Sequence, residues 1–134
     1  MKVKLLGPPA LAAVLFLLVS VPIFAHHGAA SYDISKMTTL KGTITSIQWM
    51  NPHATIDIDV SETTGKIQKY TVESVSPLGL SRNGWTKDSL KPGDQITVTG
   101  NLSKNGTHIL RLKKIVFPDG KVLTLQNGED YPSQ

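Results

Sequence analysis

One run of eight residues constrains this chain more than any other. From His53 to Val60 it alternates without a break. Ala54, Ile56, Ile58 and Val60 lie on one side, and His53, Thr55, Asp57 and Asp59 on the other. A period of two cannot sit on a helix, whose faces repeat about every 3.6 residues. The segment is therefore a β-strand with one buried and one polar face. A half-buried strand is not stable alone, so the rest of the chain must supply partners for it.

It does so on both sides. Upstream, Leu40-Lys41-Gly42-Thr43-Ile44 alternates, slips phase at Thr45-Ser46, and resumes at Ile47 and Trp49. A slip of one residue predicts a single long first strand bent at a bulge. Asn51-Pro52 then makes a turn. Downstream, Thr63-Thr64-Gly65 closes a hairpin onto a third strand over residues 66–74, marked by Tyr70 and Val72. Ser76-Pro77 reads as a helix start, with Ser as N-cap and Pro in the first turn. Leu78 and Leu80 are expected to supply its apolar contacts, Gly84 its stop, and Trp85 to pack beneath it. A further turn is expected over 86–90, before Lys91-Pro92-Gly93-Asp94.

Ile96 and Val98 mark a fourth strand ending at Gly100, and Asn105-Gly106 a hairpin turn. Leu110 and Leu112 point inward on a fifth strand that slips near Lys113-Lys114 before Ile115 and Phe117. Pro118-Asp119-Gly120 leads to a short sixth strand with Val122, Leu123 and Leu125. Three strands, a short helix and two or three more strands define an all-β protein. The expected architecture is a small OB-type Greek-key barrel of five to six strands, with one short helix between strands 3 and 4. The competing arrangement is an open antiparallel meander. Closure is preferred because the chain has no Cys, hence no disulfide, and closing the sheet removes exposed edges.

The first 25 residues belong to a different problem. Lys2 and Lys4 precede an uncharged stretch over 5–25 that Pro8-Pro9 interrupts, leaving an apolar run over 10–21. That run is short of the ~20 residues a membrane-spanning helix needs. With Ile23-Phe24-Ala25 at its end, it reads as a cleaved signal peptide over 1–25 rather than an uncleaved anchor. The mature chain is expected in the periplasm, or secreted, with no integral membrane span. A second possible cut lies after Ala30. Removal of 1–25 leaves 109 residues, which is one domain: an extended arm over 26–37, a barrel over 38–126 and a tail over 127–134. Two lysines and no acids leave with the leader, so the formal charge of +4 falls to +2. So weak and scattered a charge gives no strong electrostatic case for nucleic acid as a partner.

Cleavage after Ala25 would start the mature chain with His26-His27. A terminal amine and the Nδ1 of the same terminal histidine form a six-membered chelate. A further imidazole completes a three-nitrogen set that suits Cu(II). His26 would give two donors, with His53 or His108 as the third. In a rival arrangement the His27 imidazole joins the amine and the intervening deprotonated amide. Glu73 could support such a ligand or approach the metal axially. OB-type barrels bind through the strand 2–3 face and the 1–2 and 4–5 loops, which places Trp49, Asn51 and His53 in one loop and His108 beside the other. Catalytic patterns are absent: there is no Cys nucleophile, Gly-x-Ser-x-Gly elbow or phosphate loop. Asp57 and Asp59 read as solubilising strand residues.

The ordered set Ala25-His26-His27, Gly42-Thr43-Ile44, Trp49 with Asn51-Pro52-His53, Val72-Glu73, Ser76-Pro77, Gly84-Trp85-Thr86, Leu90-Lys91-Pro92-Gly93-Asp94 and Pro118-Asp119-Gly120 resembles domain of unknown function 6152. The likeness runs over about residues 25–125. It implies a Gram-negative exported protein with an OB-like β-domain and no established activity. His26, His27 and His53 match its pattern and His108 does not. Two functions follow as expectations. The first is a non-enzymatic exported module binding copper through its mature terminal histidine. The second is an envelope protein-interaction domain using the barrel face around Trp49 and Tyr70, without metal.

Overall fold

The computed structural model describes residues 28–125. Six strands, β1 (Thr38–Gln48), β2 (Thr55–Ser61), β3 (Ile67–Glu73), β4 (Gln95–Leu102), β5 (Ile109–Val116) and β6 (Val122–Thr124), form one sheet in the order β3-β2-β1-β4-β5-β6. A parallel pairing of β3 with β5 closes the first five strands into a barrel, and β6 extends β5 outside it. A single helix, α1 (Pro77–Arg82), connects β3 to β4. This is the expected small OB-like barrel, closed rather than open.

The bent first strand is what makes closure possible. Its first half, from Thr38 to Thr43, pairs with β4, and from Thr43 onward it pairs with β2. The register jumps between Ile44 and Ser46, leaving Thr45 as the extra residue of a bulge. Because of that bulge Ile44 meets Ile58 and Ile47 meets Ile56, so both isoleucines reach the core despite their odd spacing. A second jump makes Lys113 the extra residue of a bulge on β5, so Leu112 and Ile115 both turn inward.

Buried side chains from all five barrel strands fill the interior, among them Ile44, Ile58, Val72, Val98 and Leu110. One end is plugged by Leu80, Trp85 and Leu90 from the segment around α1. Six residues cannot hold a helix by hydrogen bonding alone, so α1 depends on its caps and this packing. The Ser76 hydroxyl accepts from the Gly79 N–H at 3.2 Å, Pro77 occupies the first turn, and Gly84 turns the chain with φ of 81°. Leu78 corrects the sequence reading, for it is 61 % exposed while Leu80 is buried. Two residues are about 200° apart around a helix, so both cannot face the core. The expected turn over 86–90 is present and is closed by the Ser89 N–H donating to the Thr86 carbonyl.

Residues 28–37 lie against the β4–β5 hairpin. Ala29–Ser31 forms a 3-10 turn, and Tyr32 bridges to Ser103. The Lys104 N–H donates to the Ser31 carbonyl, the Asp33 N–H to the Leu102 carbonyl, and the buried Asn101 amide to the carbonyls of Asp33 and Lys36. The arm is thereby stitched to the barrel, and Tyr32 is only 5 % exposed. The proposed leader, His26, His27 and the tail over 127–134 lie outside the described residues. Among the described residues no helix is long and apolar enough to cross a membrane.

Gly100 sits where β4 and β5 change register, and a Cβ there would fall 1.9 Å from the Arg111 carbonyl oxygen and 2.6 Å from Leu110 Cδ2. A backbone oxygen cannot swing away as a side chain can. Gly100→Ala is expected to cost at least about 3 kcal/mol, measured by urea denaturation of the two proteins side by side.

Candidate functional site

The end of β3 is where polar groups gather. Glu73 is the last residue of that strand, opposite Thr55 on β2 and Arg111 on β5. The β2–β3 ladder continues one step further, with the Ser74 N–H donating to the Ala54 carbonyl and the Ala54 N–H to the Val75 carbonyl. That extension fixes the chain just after the Asn51–Pro52 cis peptide. By strand alternation His53 lies on the same side as Thr55, and so reaches Glu73 diagonally. The His53 Nδ1 stands 2.8 Å from Glu73 Oε1. A carboxylate only accepts, so Nδ1 carries the proton in this contact.

The other carboxylate oxygen is also engaged. Tyr32 donates its hydroxyl to Glu73 Oε2 at 2.5 Å. One carboxylate thus joins the β1–β2 loop to the N-terminal arm. Arg111, only 3 % exposed, lies opposite Glu73 in the closing pair and brings a positive charge to the cluster. Burial, then the hydrogen bond to Glu73 and that residue's charge, push the Tyr32 phenol well above its ordinary value of 10.0. The Arg111 charge pulls it partly back.

His108 belongs to a different neighbourhood. Its Nδ1 is 2.8 Å from Gln68 Nε2, and its ring leans on Tyr70 with centroids 5.0 Å apart. Tyr70 precedes Glu73 by three residues, a rise of about 10 Å along an extended strand. The His108 ring borders a shallow groove of about 440 Å³, which Asp57, Asp59, Lys69 and Thr45 also line. Asp57 is spent on structure there, accepting from the Ser46 hydroxyl at 2.7 Å and the Thr71 hydroxyl at 2.8 Å. Asp59 has Lys69 Nζ at 3.9 Å.

Of the candidate residues, the structure therefore brings His53 and Glu73 together and sets His108 beside Tyr70. Trp49 is half-buried and packs against the core, as Tyr70 does, and Asn51 is exposed. His26 and His27 are not described. Among the described residues no three His, Cys, Asp or Glu side chains converge as a metal cage. Tyr32 and Arg111 were not legible as site residues. Tyr32 sits in a segment without period, and Arg111 occupies a strand position that alternation assigns to solvent. Only the arm lying over that face explains why both are buried.

The Tyr32 environment gives a direct test. Its raised value means that its contribution to stability is intact below pH 10.0 and is lost as pH climbs from there toward the folded-state value. Tyr32 is expected to ionise above the ordinary phenol range, seen as a late step in the phenolate absorbance. Tyr32→Phe should remove that step and flatten the alkaline loss of stability.

Comparison with known proteins gives a family and little else. No curated protein matches the chain. Among solved structures, the ZRD-deleted mutant of TiaS in complex with agmatine is similar at 22 % identity and a TM-score of 0.46. The match covers 74 % of this chain and 24 % of that one. Apo TiaS, a tRNAIle2 agmatidine synthetase, is similar at 18 % identity and a TM-score of 0.41, over 61 % of this chain and 18 % of that one. The chain thus spans about a quarter of those structures or less, and a likeness this low carries no functional argument. The family model of DUF6152, a family of unknown function, matches residues 14–110, and on that match the chain belongs to this family.

Proposed function

We propose that this protein is an exported, non-enzymatic module that binds copper at its mature amino terminus, with His53 as the imidazole supplied by the barrel. The observation that carries this reading is the double engagement of Glu73. Its Oε1 takes the Nδ1 side of His53, so a metal would be met through Nε2. Metal-binding histidines almost always have their second nitrogen oriented in this way, commonly by a carboxylate. Its Oε2 holds Tyr32, which is six residues after His26. Six residues of extended chain span at most ~20 Å, which bounds how far a mature terminus at His26 would lie from Tyr32.

The donor chemistry agrees with the metal. A terminal amine and imidazoles are nitrogen ligands of the kind that Cu(II) prefers in tetragonal geometry. Glu73, with both oxygens already used, serves as the group that orients His53 rather than as an axial ligand. His108 is a poor third ligand, since it packs with Gln68 and Tyr70 instead. The interaction reading, built on the surface around Trp49 and Tyr70, has less support because both rings lean on the core.

Mass spectrometry of the exported protein tests the first step, with a mature chain starting at His26 expected. A start at Ser31 would remove both terminal histidines and end the proposal. Copper titration of the mature form against His26→Ala and His53→Ala tests the second. Each variant is expected to bind at least about 10-fold more weakly. Variants that bind as tightly as the parent would sink the copper assignment.

A further inference from the structure

The charges on the barrel strands are segregated. β2 and β3 carry Asp57, Asp59 and Glu73 against one base, Lys69. β1, β4, β5 and β6 carry Lys41, Arg111, Lys113 and Lys114 and no acid. Arg111 is buried opposite Glu73 and so is paired, in space, with the acidic half. What remains is a basic sector whose layout the strand register fixes. One row across its outer face runs Thr39, Thr99, Lys114 and Thr124, and the next includes Lys41 from β1 and Val122 from β6. These side chains point away from the core, because their strand neighbours Leu40, Val98, Ile115 and Leu123 pack into it.

That sector ends on an open edge. β6 is the last strand of the sheet, and among the described residues no strand pairs with its far side. The Phe117 N–H donates to the Lys121 carbonyl and the Leu125 N–H to the Lys113 carbonyl, so the odd-numbered residues here face β5. Antiparallel alternation therefore turns the N–H and C=O of Val122 and Thr124 to the open side. The Val122 side chain is also 50 % exposed. Two features blunt this edge against a second copy of itself: β6 is only three residues long, and Lys114 and Lys121 flank it. Pairing two such edges brings lysines together. A strand of opposite charge meets no such repulsion.

We propose that the β6 edge is a docking site for an extended, acidic segment of a partner protein, which adds to the sheet beside β6. Backbone pairing selects the class of partner, since only a polypeptide supplies donors and acceptors at strand spacing. A lipid surface would use the lysines and leave the edge unpaired. The lysines in turn select the sequence. An added strand lies about 10 Å from β5, a gap that Lys114 and a facing glutamate bridge together. Lys121, at the hairpin turn, serves the opposite face, with its ammonium 5.4 Å from the Phe117 ring centroid. Asp119, the one acid of that turn, already accepts from the Lys121 N–H at 2.9 Å. No residue of the Glu73 cluster takes part, so the docking site stands or falls apart from the copper reading.

The probe is an octapeptide of alternating glutamate and valine, with its lysine–valine counterpart as control. Each is added at low salt to the whole protein, as cells process it, and followed by nuclear magnetic resonance. The acidic peptide is expected to shift the amide resonances of residues 121–125 and to slow exchange of the Val122 and Thr124 N–H groups. The basic peptide should do neither. Lys114→Glu should weaken binding about 5-fold, the size expected for reversing one exposed charge pair. Thr124→Pro removes an outward N–H without breaking the β5–β6 ladder, and should weaken binding at least as much. If Thr124→Pro loses the parent's circular dichroism, Lys114→Glu and the map of shifted resonances decide. Equal binding of the two peptides, or shifts centred away from β6, overturns the proposal. Binding to phosphatidylglycerol vesicles by a protein that ignores the acidic peptide overturns it as well.

Discussion

Parallel pairing joins β3 to β5 over only three residue pairs, Thr71 with Ile109, Val72 with Leu110 and Glu73 with Arg111. These pairs turn a twisted sheet into a closed barrel, and without them β3 and β5 would present open edges. They also decide where charge is placed. The last pair sets a carboxylate beside a guanidinium at the same end of the barrel where the β1–β2 loop returns. The polar groups at that end are brought together by this closure: His53 approaches from the β1–β2 loop, Tyr32 from the arm, and Arg111 from β5.

The closure in turn relies on two bulges. Thr45 and Lys113 each add one residue to a strand, and each restores the inward phase that the bend would otherwise lose. A regular first strand could pair with β4 or with β2 but would not curve enough to pair with both. The absence of cysteine makes the packed interior the source of stability, and the residues that plug its open end are Leu80, Trp85 and Leu90. Gly100 admits the β5 backbone so closely that no other residue fits without displacement.

Two polar regions on the barrel surface differ in kind. The groove beside His108 contains more titratable groups, yet Asp57 is consumed by Ser46 and Thr71 in knitting β1, β2 and β3 together. The Glu73 cluster has fewer groups, but its one carboxylate links the β1–β2 loop to the N-terminal arm. A half-buried carboxylate shared by a phenol and an imidazole costs some desolvation, and it persists here because each oxygen has a donor. That contrast favours Glu73 and His53 over the groove beside His108 as the functional site.

Local pattern was enough to read the strands, both bulges, the helix start at Ser76-Pro77 and the OB-like order, because alternation, phase slips and turn residues are properties of neighbours along the chain. It was also enough to single out His53 and Glu73 as residues of chemical interest. It misassigned Leu78, since a six-residue helix is too short for its period to show which leucine faces inward. Tyr32, Arg111 and the separation of His108 from His53 were decided by tertiary structure alone. Tyr32 and Glu73 are 41 residues apart, and β3 meets β5 only after the chain has passed through α1 and β4. No local period encodes such a meeting: it arises when the sheet closes and the arm covers a face that alternation by itself would leave in water.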